Sequence, residues 1–385
     1  MNVNYNISKL IILIFLSNIF TNNHPIFLVH GFMGWGRDEL NNYYYWGGEI
    51  DLQQELQSQG FDVYTISVGP ISSNWDRAIE LYTQIKGGCV DYGYNHSKKY
   101  DIIQKPAGKC YEGLYPEWDE KHPIHIIGHS QGGLTARMLE YLLYIKINNE
   151  KSKLLSKSHK NCIKSITTIS TPHNGTSLSF IINQKFPVLQ KLSAYAGVFN
   201  NMFLKNYYDF DLEQWNLRKN DTETYTQFLR RINSSKIQLT DNSAAKDLSI
   251  NGANNFNKIY NSHPDTYYFS YSTSSTIQKP NSIYHKPAKF MSYYLRPTAI
   301  LMGNKNDIAD SLWYENDGIV NTISMNGPHD ELIIDYLDVP KKGIWQNMGT
   351  LNYDHHQILF RRITSDSSDE IMNFYIQHCK LLYSL

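Results

Sequence analysis

Residues 122 to 143 read HPIHIIGHSQGGLTARMLEYLL, and this stretch limits the possible folds more than any other part of the chain. The apolar run Ile124 to Ile127 has strand length, and LTARMLEYLL carries apolar residues at helical spacing. Between them stand Gly128, His129, Ser130, Gln131 and Gly132, a G-x-S-x-G pentapeptide. A strand that turns into a helix over so few residues places the serine at a strained bend, the nucleophile-elbow arrangement. Bulky side chains two positions either side would collide with the strand or the helix, hence glycine at 128 and 132. The bend is expected to lift the Ser130 hydroxyl above a sheet and to leave the Gln131 N–H facing a developing oxyanion. Three fixed positions in five are a weak signal alone; the flanking strand and helix make the reading specific.

The neighbouring segments alternate in the same way. PIFLVHGF reads as a buried strand, EIDLQQELQSQG as a helix closed by Gly60, FDVYTISVG as a strand and WDRAIELYTQIKGG as a helix closed by glycines. After the elbow, CIKSITTIST is another strand. DTYYFSYST and the short DGIVNTISM also read as strands, and SDEIMNFYIQHCKLLYSL as the closing helix. Such alternation predicts the α/β class, with a mostly parallel central sheet covered by helices on both faces. VLQKLSAYAGVF, from about 188 to 199, has the spacing of an amphipathic helix. No repeat or linker divides the chain, so residues 23–385 are read as one catalytic domain with long insertions.

The first 22 residues carry one lysine and an apolar run from Leu10 to Leu16, too short to cross a bilayer but shaped like a secretory signal, with cleavage expected between Ser17 and Asn23. No later run reaches ~18 apolar residues, so a secreted protein without a transmembrane segment is expected. Thirty-six basic and 36 acidic residues cancel, which removes any bulk electrostatic case for nucleic acid. Four cysteines, Cys89, Cys110, Cys162 and Cys379, form no C-x-x-C pair. After export, Cys89 and Cys110 could close a loop of about 20 residues, a constraint of roughly 3 kcal/mol by loop entropy.

A serine hydroxyl is a poor nucleophile at neutral pH and needs a base held by an acid. In a strand-elbow-helix protein these follow the serine in chain order. WYENDGIVN offers Asp317, and NYDHHQIL offers His355 or His356. Asp317-Gly318 could equally be a turn dipeptide, and the two histidines a packed pair. LVHGFMGWG, after the first strand, offers the Phe32 N–H as a second oxyanion donor.

The blocks HPIFLVHGFMGWGRDEL, YYWGGEIDLQQEL, VGPISSNWDRAIELYTQIKGGCVDYG, IHIIGHSQGGLTARML, SITTISTPHNGTSL, YDFDLEQWNLR, WYENDGIVNTISMNGP and KKGIWQNMGTLNYDHHQ stand in this order from residue 24 to about 358. They resemble the large secreted lipases of Gram-positive bacteria, the thermophilic Bacillus and staphylococcal type. The resemblance implies an α/β-hydrolase fold with Ser130 as nucleophile, Asp317 as orienting acid, His355 rather than His356 as base, and Phe32 and Gln131 at the oxyanion positions. It implies a metal-type insertion at about 88–122 and a lid within about 178–235, the 188–199 helix covering the acyl pocket.

The same resemblance implies a structural zinc bound by two carboxylates and two histidines. Asp76 and His96 match, and Glu213 stands where the family has aspartate. The second histidine is replaced near Ile102, with Asp101 as the nearest substitute. A glutamate is one methylene longer, so the ~2.0 to 2.2 Å metal–oxygen distance needs a backbone adjustment. Cys89 and Cys110 flank this insertion, and a disulfide could take over its stapling role. The family's calcium carboxylates follow the catalytic histidine; here Gln357 and ILFRRITSDSS replace them, with Asp366 and Asp369 the nearest acids, and calcium is not expected. The chemistry itself needs no cofactor. The implied activity is triacylglycerol hydrolysis at a lipid–water interface, with a phospholipase, a short-chain esterase or a silent lipid-binding protein as alternatives on the same fold.

Overall fold

The computed structural model describes residues 22–179, 208, 210–220, 222–238, 240–304 and 310–385. The expected signal segment, but for Asn22, and the 188–199 helix lie outside the described residues. Seven strands form one sheet: β1 Ile26–Val29, β2 Val63–Ile66, β3 Ile124–His129, β4 Ile163–Ile169, β5 Tyr267–Thr273, β6 Ile333–Asp335 and β7 Trp345–Leu351. Their order across the sheet is β6-β7-β5-β4-β3-β1-β2, and every neighbouring pair is parallel. All C-terminal strand ends therefore lie along one edge, where open parallel sheets carry their ligands.

Both faces are covered, as near-continuous apolar strands require. Along β1 the side chains alternate between two cores: Ile26 and Leu28 pack into one, Phe27 and Val29 into the other. The first core receives Leu52 and Leu56 of α1 (Leu52–Ser58) and Ile371, Tyr375, Cys379 and Leu382 of α4 (Ser365–Tyr383). Steps of four, four and three place those α4 residues on a single helical stripe. Into the second core go Ala78, Ile79, Leu81, Tyr82 and Ile85 of α2 (Asn74–Lys86) and Ala136, Leu139, Leu142 and Leu143 of α3 (Gln131–Tyr144). Side-chain oxygens of Asp51, Ser73 and Thr364 accept first-turn N–H bonds and so start α1, α2 and α4.

One expectation needs correction, and one strand has no clear sequence signal. DGIVNTISM is a turn followed by a short 3-10 helix, Thr322–Met325, because the Asp317 carboxylate takes the Ile319 and Val320 N–H groups that a strand would need. The strand β7, in KKGIWQNMGTL, carries no period-two signal, because its apolar residues Trp345, Met348 and Leu351 recur at every third position. In the insertion, Gly88–Cys89 and Cys110–Tyr111 pair antiparallel beside the helix Tyr94–Tyr100.

Candidate active site

The elbow forms where β3 ends and α3 begins. Ser130 has φ of +56° and ψ of −127°, a conformation that costs a non-glycine residue of order 1–3 kcal/mol and persists only where its surroundings enforce it. Those surroundings explain the flanking glycines. A Cβ on Gly132 would lie 2.0 Å from the Val29 carbonyl oxygen, and one on Gly128 would lie 2.4 Å from the Gly132 carbonyl carbon. Backbone meets backbone at both places, so nothing can yield.

The loop after β1 closes on the serine. A Cβ on Gly31, the residue before Phe32, would stand 2.6 Å from the Ser130 Cβ. Buried Arg77 holds this loop by donating to the carbonyl oxygens of His30 and, at 2.9 Å, Gly69. His30 is locked in one tautomer: its Nδ1–H donates to the Gly31 carbonyl at 2.8 Å while Nε2 accepts from the Val68 N–H at 3.1 Å. Burial and the nearby Arg77 push its pKa down to about 3, so it stays neutral. Gln131 opens α3, where a first-turn N–H has no intrahelical acceptor. Its side chain is fixed by bonds to the Ser72 carbonyl at 3.1 Å and Asn74 Oδ1 at 3.2 Å.

Thirty-eight residues apart in sequence, Asp317 and His355 meet: Oδ2 of the aspartate is 2.7 Å from Nδ1 of the histidine. Both are buried, and the His355 N–H also donates to the Asp317 carbonyl at 3.1 Å. The other carboxylate oxygen accepts from the N–H groups of Ile319 and Val320 at 3.0 and 2.8 Å. Such a carboxylate holds the proton of His355 on Nδ1 and leaves Nε2 bare. Nε2 is buried and has no hydrogen-bond partner among the described residues. The ring lies against His129, the residue before Ser130, with centroids 4.7 Å apart. His356, the competing histidine, turns away: its Nδ1 meets the Tyr294 hydroxyl at 2.9 Å.

Sequence reasoning missed Thr273, which ends β5 and donates from Oγ1 to Asp317 Oδ2 at 2.7 Å. It also missed Tyr45, whose hydroxyl lies between Gly31 and His129. No motif marks either residue, since each partner is remote in sequence.

Of the expected zinc ligands, only Asp76 and His96 are brought into contact. Asp76 Oδ1 is 2.8 Å from His96 Nε2, but its other oxygen accepts from Asn242 Nδ2 at 2.9 Å. Glu213 instead approaches the buried Lys109 ammonium, at 3.6 Å, which Glu80 binds at 2.8 Å. Ile102 is buried, and Asp101 is exposed and paired with Lys236. Among the described residues no group of three His, Cys, Asp or Glu side chains could share an ion. The residues present thus do not fit a four-ligand zinc, because a lysine cation stands beside Glu213 and buried Ile102 lies where the second histidine would be. Cys89 and Cys110 are joined by a disulfide, while Cys162 and Cys379 are free and buried. Gln357, which stands where the resembling family has a calcium carboxylate, makes direct bonds, donating to the Phe290 carbonyl and accepting from the Asp354 N–H, both at 2.9 Å. Asp366 and Asp369 are exposed on α4.

The fold and sequence are similar to those of known proteins. The structure superposes on EstA from Clostridium botulinum with a TM-score of 0.86 and 38% identity, covering 96% of this chain and 89% of that one. Against Staphylococcus hyicus lipase the TM-score is 0.82 at 33% identity, covering 94% and 96%. A lipase of Staphylococcus epidermidis is 35% identical over 373 residues, which are 92% of this chain and 53% of the relative. The chain thus spans about half the length of the curated relatives it matches. The family described as lipase-like, C-terminal domain, matches residues 22–382. With its parallel sheet, its elbow at Ser130 and these relatives, the chain belongs to the staphylococcal-type lipase family of α/β-hydrolases.

Proposed function

We propose that the chain is a secreted serine ester hydrolase acting on triacylglycerol or similar water-insoluble esters. The observation that carries this reading is the buried Asp317–His355 pair, with its Nε2 bare and its ring against His129, the residue before the strained Ser130. His355 Nε2 takes the proton of the Ser130 hydroxyl as Oγ attacks the ester carbonyl carbon. The carbonyl oxygen becomes an oxyanion, held by the N–H groups of Phe32 and Gln131, each worth on the order of 3 kcal/mol. Collapse of the tetrahedral intermediate breaks the ester C–O bond, and His355 passes its proton to the departing alcohol. Water, deprotonated by the same nitrogen, then releases the fatty acid and restores Ser130.

The names of the relatives support a lipid ester as substrate, and the apolar run at the N-terminus supports export. No helix among the described residues is long and apolar enough to cross a membrane. Ser130→Ala is expected to abolish hydrolysis of a nitrophenyl ester and labelling by a fluorophosphonate while leaving the thermal melt nearly unchanged. Rates on emulsified long-chain triglyceride against a soluble short-chain ester decide the substrate class. Residual turnover in the serine variant would remove the assignment.

A further inference from the structure

We propose that Tyr45 and His129 are positioning residues that tie the oxyanion loop to the backbone of His355 through one directed chain of hydrogen bonds. The inference rests on the reading of Ser130 and His355 as nucleophile and base. The Gly31 N–H lies 2.9 Å from the Tyr45 hydroxyl oxygen, which is 2.7 Å from His129 Nδ1. On the far side of the imidazole, Nε2 is 3.0 Å from the His355 carbonyl oxygen.

Only one assignment of protons satisfies all three contacts. A carbonyl can only accept, so His129 Nε2 carries a hydrogen. Burial, with His355 and Arg361 nearby, holds His129 well below its ordinary pKa, so the ring is neutral and Nδ1 is bare. Nδ1 therefore accepts the Tyr45 O–H, and the phenol oxygen is left to accept from Gly31. Tyr45 keeps its proton, since burial pushes its pKa up to about 12. The direction is Gly31 N–H to Tyr45 O–H to His129, and His129 Nε2–H to His355.

The chain of bonds spans the reaction centre. One end is Gly31, packed on Ser130 and preceding the oxyanion donor at Phe32. The other end is the main chain of His355. Between them His129 immediately precedes Ser130, so three separate segments are held by two side chains. Gly31, Tyr45, His129 and His355 are all buried, where an unmade bond costs most. The Tyr45 ring is itself clamped, with the Arg361 guanidinium 5.0 Å from its centroid and Trp35 edge-on at 5.5 Å. A shift of such parts by about 1 Å can cost up to a hundredfold in rate.

Tyr45→Phe keeps the ring and removes only the link. For this variant, kcat on a soluble nitrophenyl ester is expected to fall about tenfold, with KM within twofold and the fold retained by circular dichroism. His129→Gln, which keeps a donor for the His355 carbonyl and lacks the ring nitrogen that accepts from Tyr45, should show the same split. The double variant should be no slower than the slower single one, because both break one chain. Unchanged kcat in both folded single variants, or a fall in melting temperature without a fall in kcat, overturns the proposal. Multiplicative losses in the double variant do the same. If the wild-type chain neither hydrolyses the ester nor reacts with a fluorophosphonate, the proposed function itself fails. An active wild type with unaffected variants removes only the link.

Discussion

Asp317→Asn is the sharpest test of how the base is prepared. The wild-type carboxylate accepts four hydrogen bonds, from the Ile319 and Val320 N–H groups, the Thr273 hydroxyl and His355 Nδ1–H. An amide of the same shape has one oxygen and one NH2 group. With the oxygen left on Ile319 and Val320, the NH2 group faces Thr273, which can rotate to accept, and His355, which must then present a bare Nδ1. With the amide flipped, two fixed backbone N–H groups would face a donor, at about 1–3 kcal/mol for each buried group left unpaired. The first orientation is therefore favoured. It moves the His355 proton to Nε2, the atom that must receive the serine proton. A wrong tautomer of this kind lowers kcat by about 10⁴ in a serine protease triad. A loss of that size is expected here, with stability lowered by about 1–3 kcal/mol for the exchanged charged bond. Initial rates on a nitrophenyl ester and urea melts of both proteins measure the two quantities. A kcat within tenfold of wild type would refute the assignment of Asp317 as the group that sets the tautomer.

Four further outcomes follow from the structure. Thr273→Val is isosteric and removes one bond to the buried Asp317 carboxylate, so stability should fall by about 1–3 kcal/mol in a urea melt. Gly132→Ala should prevent folding to a soluble product, because the added carbon would sit 2.0 Å from the Val29 carbonyl oxygen; soluble expression checks it. Replacing Cys89 and Cys110 by serine opens a link between residues 21 apart and should lower stability by about 3 kcal/mol, read as a drop in melting temperature equal to that caused by reductant. Acid should destabilise the fold through His30 and His378, both held down to about pKa 3 chiefly by burial. Their folded values lie below the unfolded value near 6.5, so stability is complete above pH ~6.5 and is lost as pH falls toward 3, by about 1.4 kcal/mol per pH unit for each group. Urea melts at pH 7.5 and 5 that superimpose would contradict this.

The metal insertion shows why motif matching can succeed position by position and still fail as a site. Asp76, His96 and Glu213 each hold a recognisable place in the sequence. Lys109 and Asn242, which carry no motif, supply partners to Glu213 and Asp76. Donor types are written in the sequence, but whether they converge depends on what else reaches them. The DGIVNTISM segment makes the same point for secondary structure: its apolar residues suit a strand, and the carboxylate of its own Asp317 captures the N–H groups first.

Local features were determined by the sequence alone. The strand, glycines and helix around Ser130 lie within one stretch, so residue spacing was enough to read the elbow, and the alternation of strands and helices gave the parallel sheet. Asp317 and His355 were legible as types in the required chain order, though only the wider resemblance chose His355 over His356. The tertiary structure alone decided which groups hold these residues in place: Thr273 on Asp317, Arg77 on the His30 carbonyl, and Tyr45 and His129 between Gly31 and His355. A hydrogen bond is fixed by distances of about 3 Å, and between side chains separated by 84 residues, as Tyr45 and His129 are, those distances exist only once the sheet has packed.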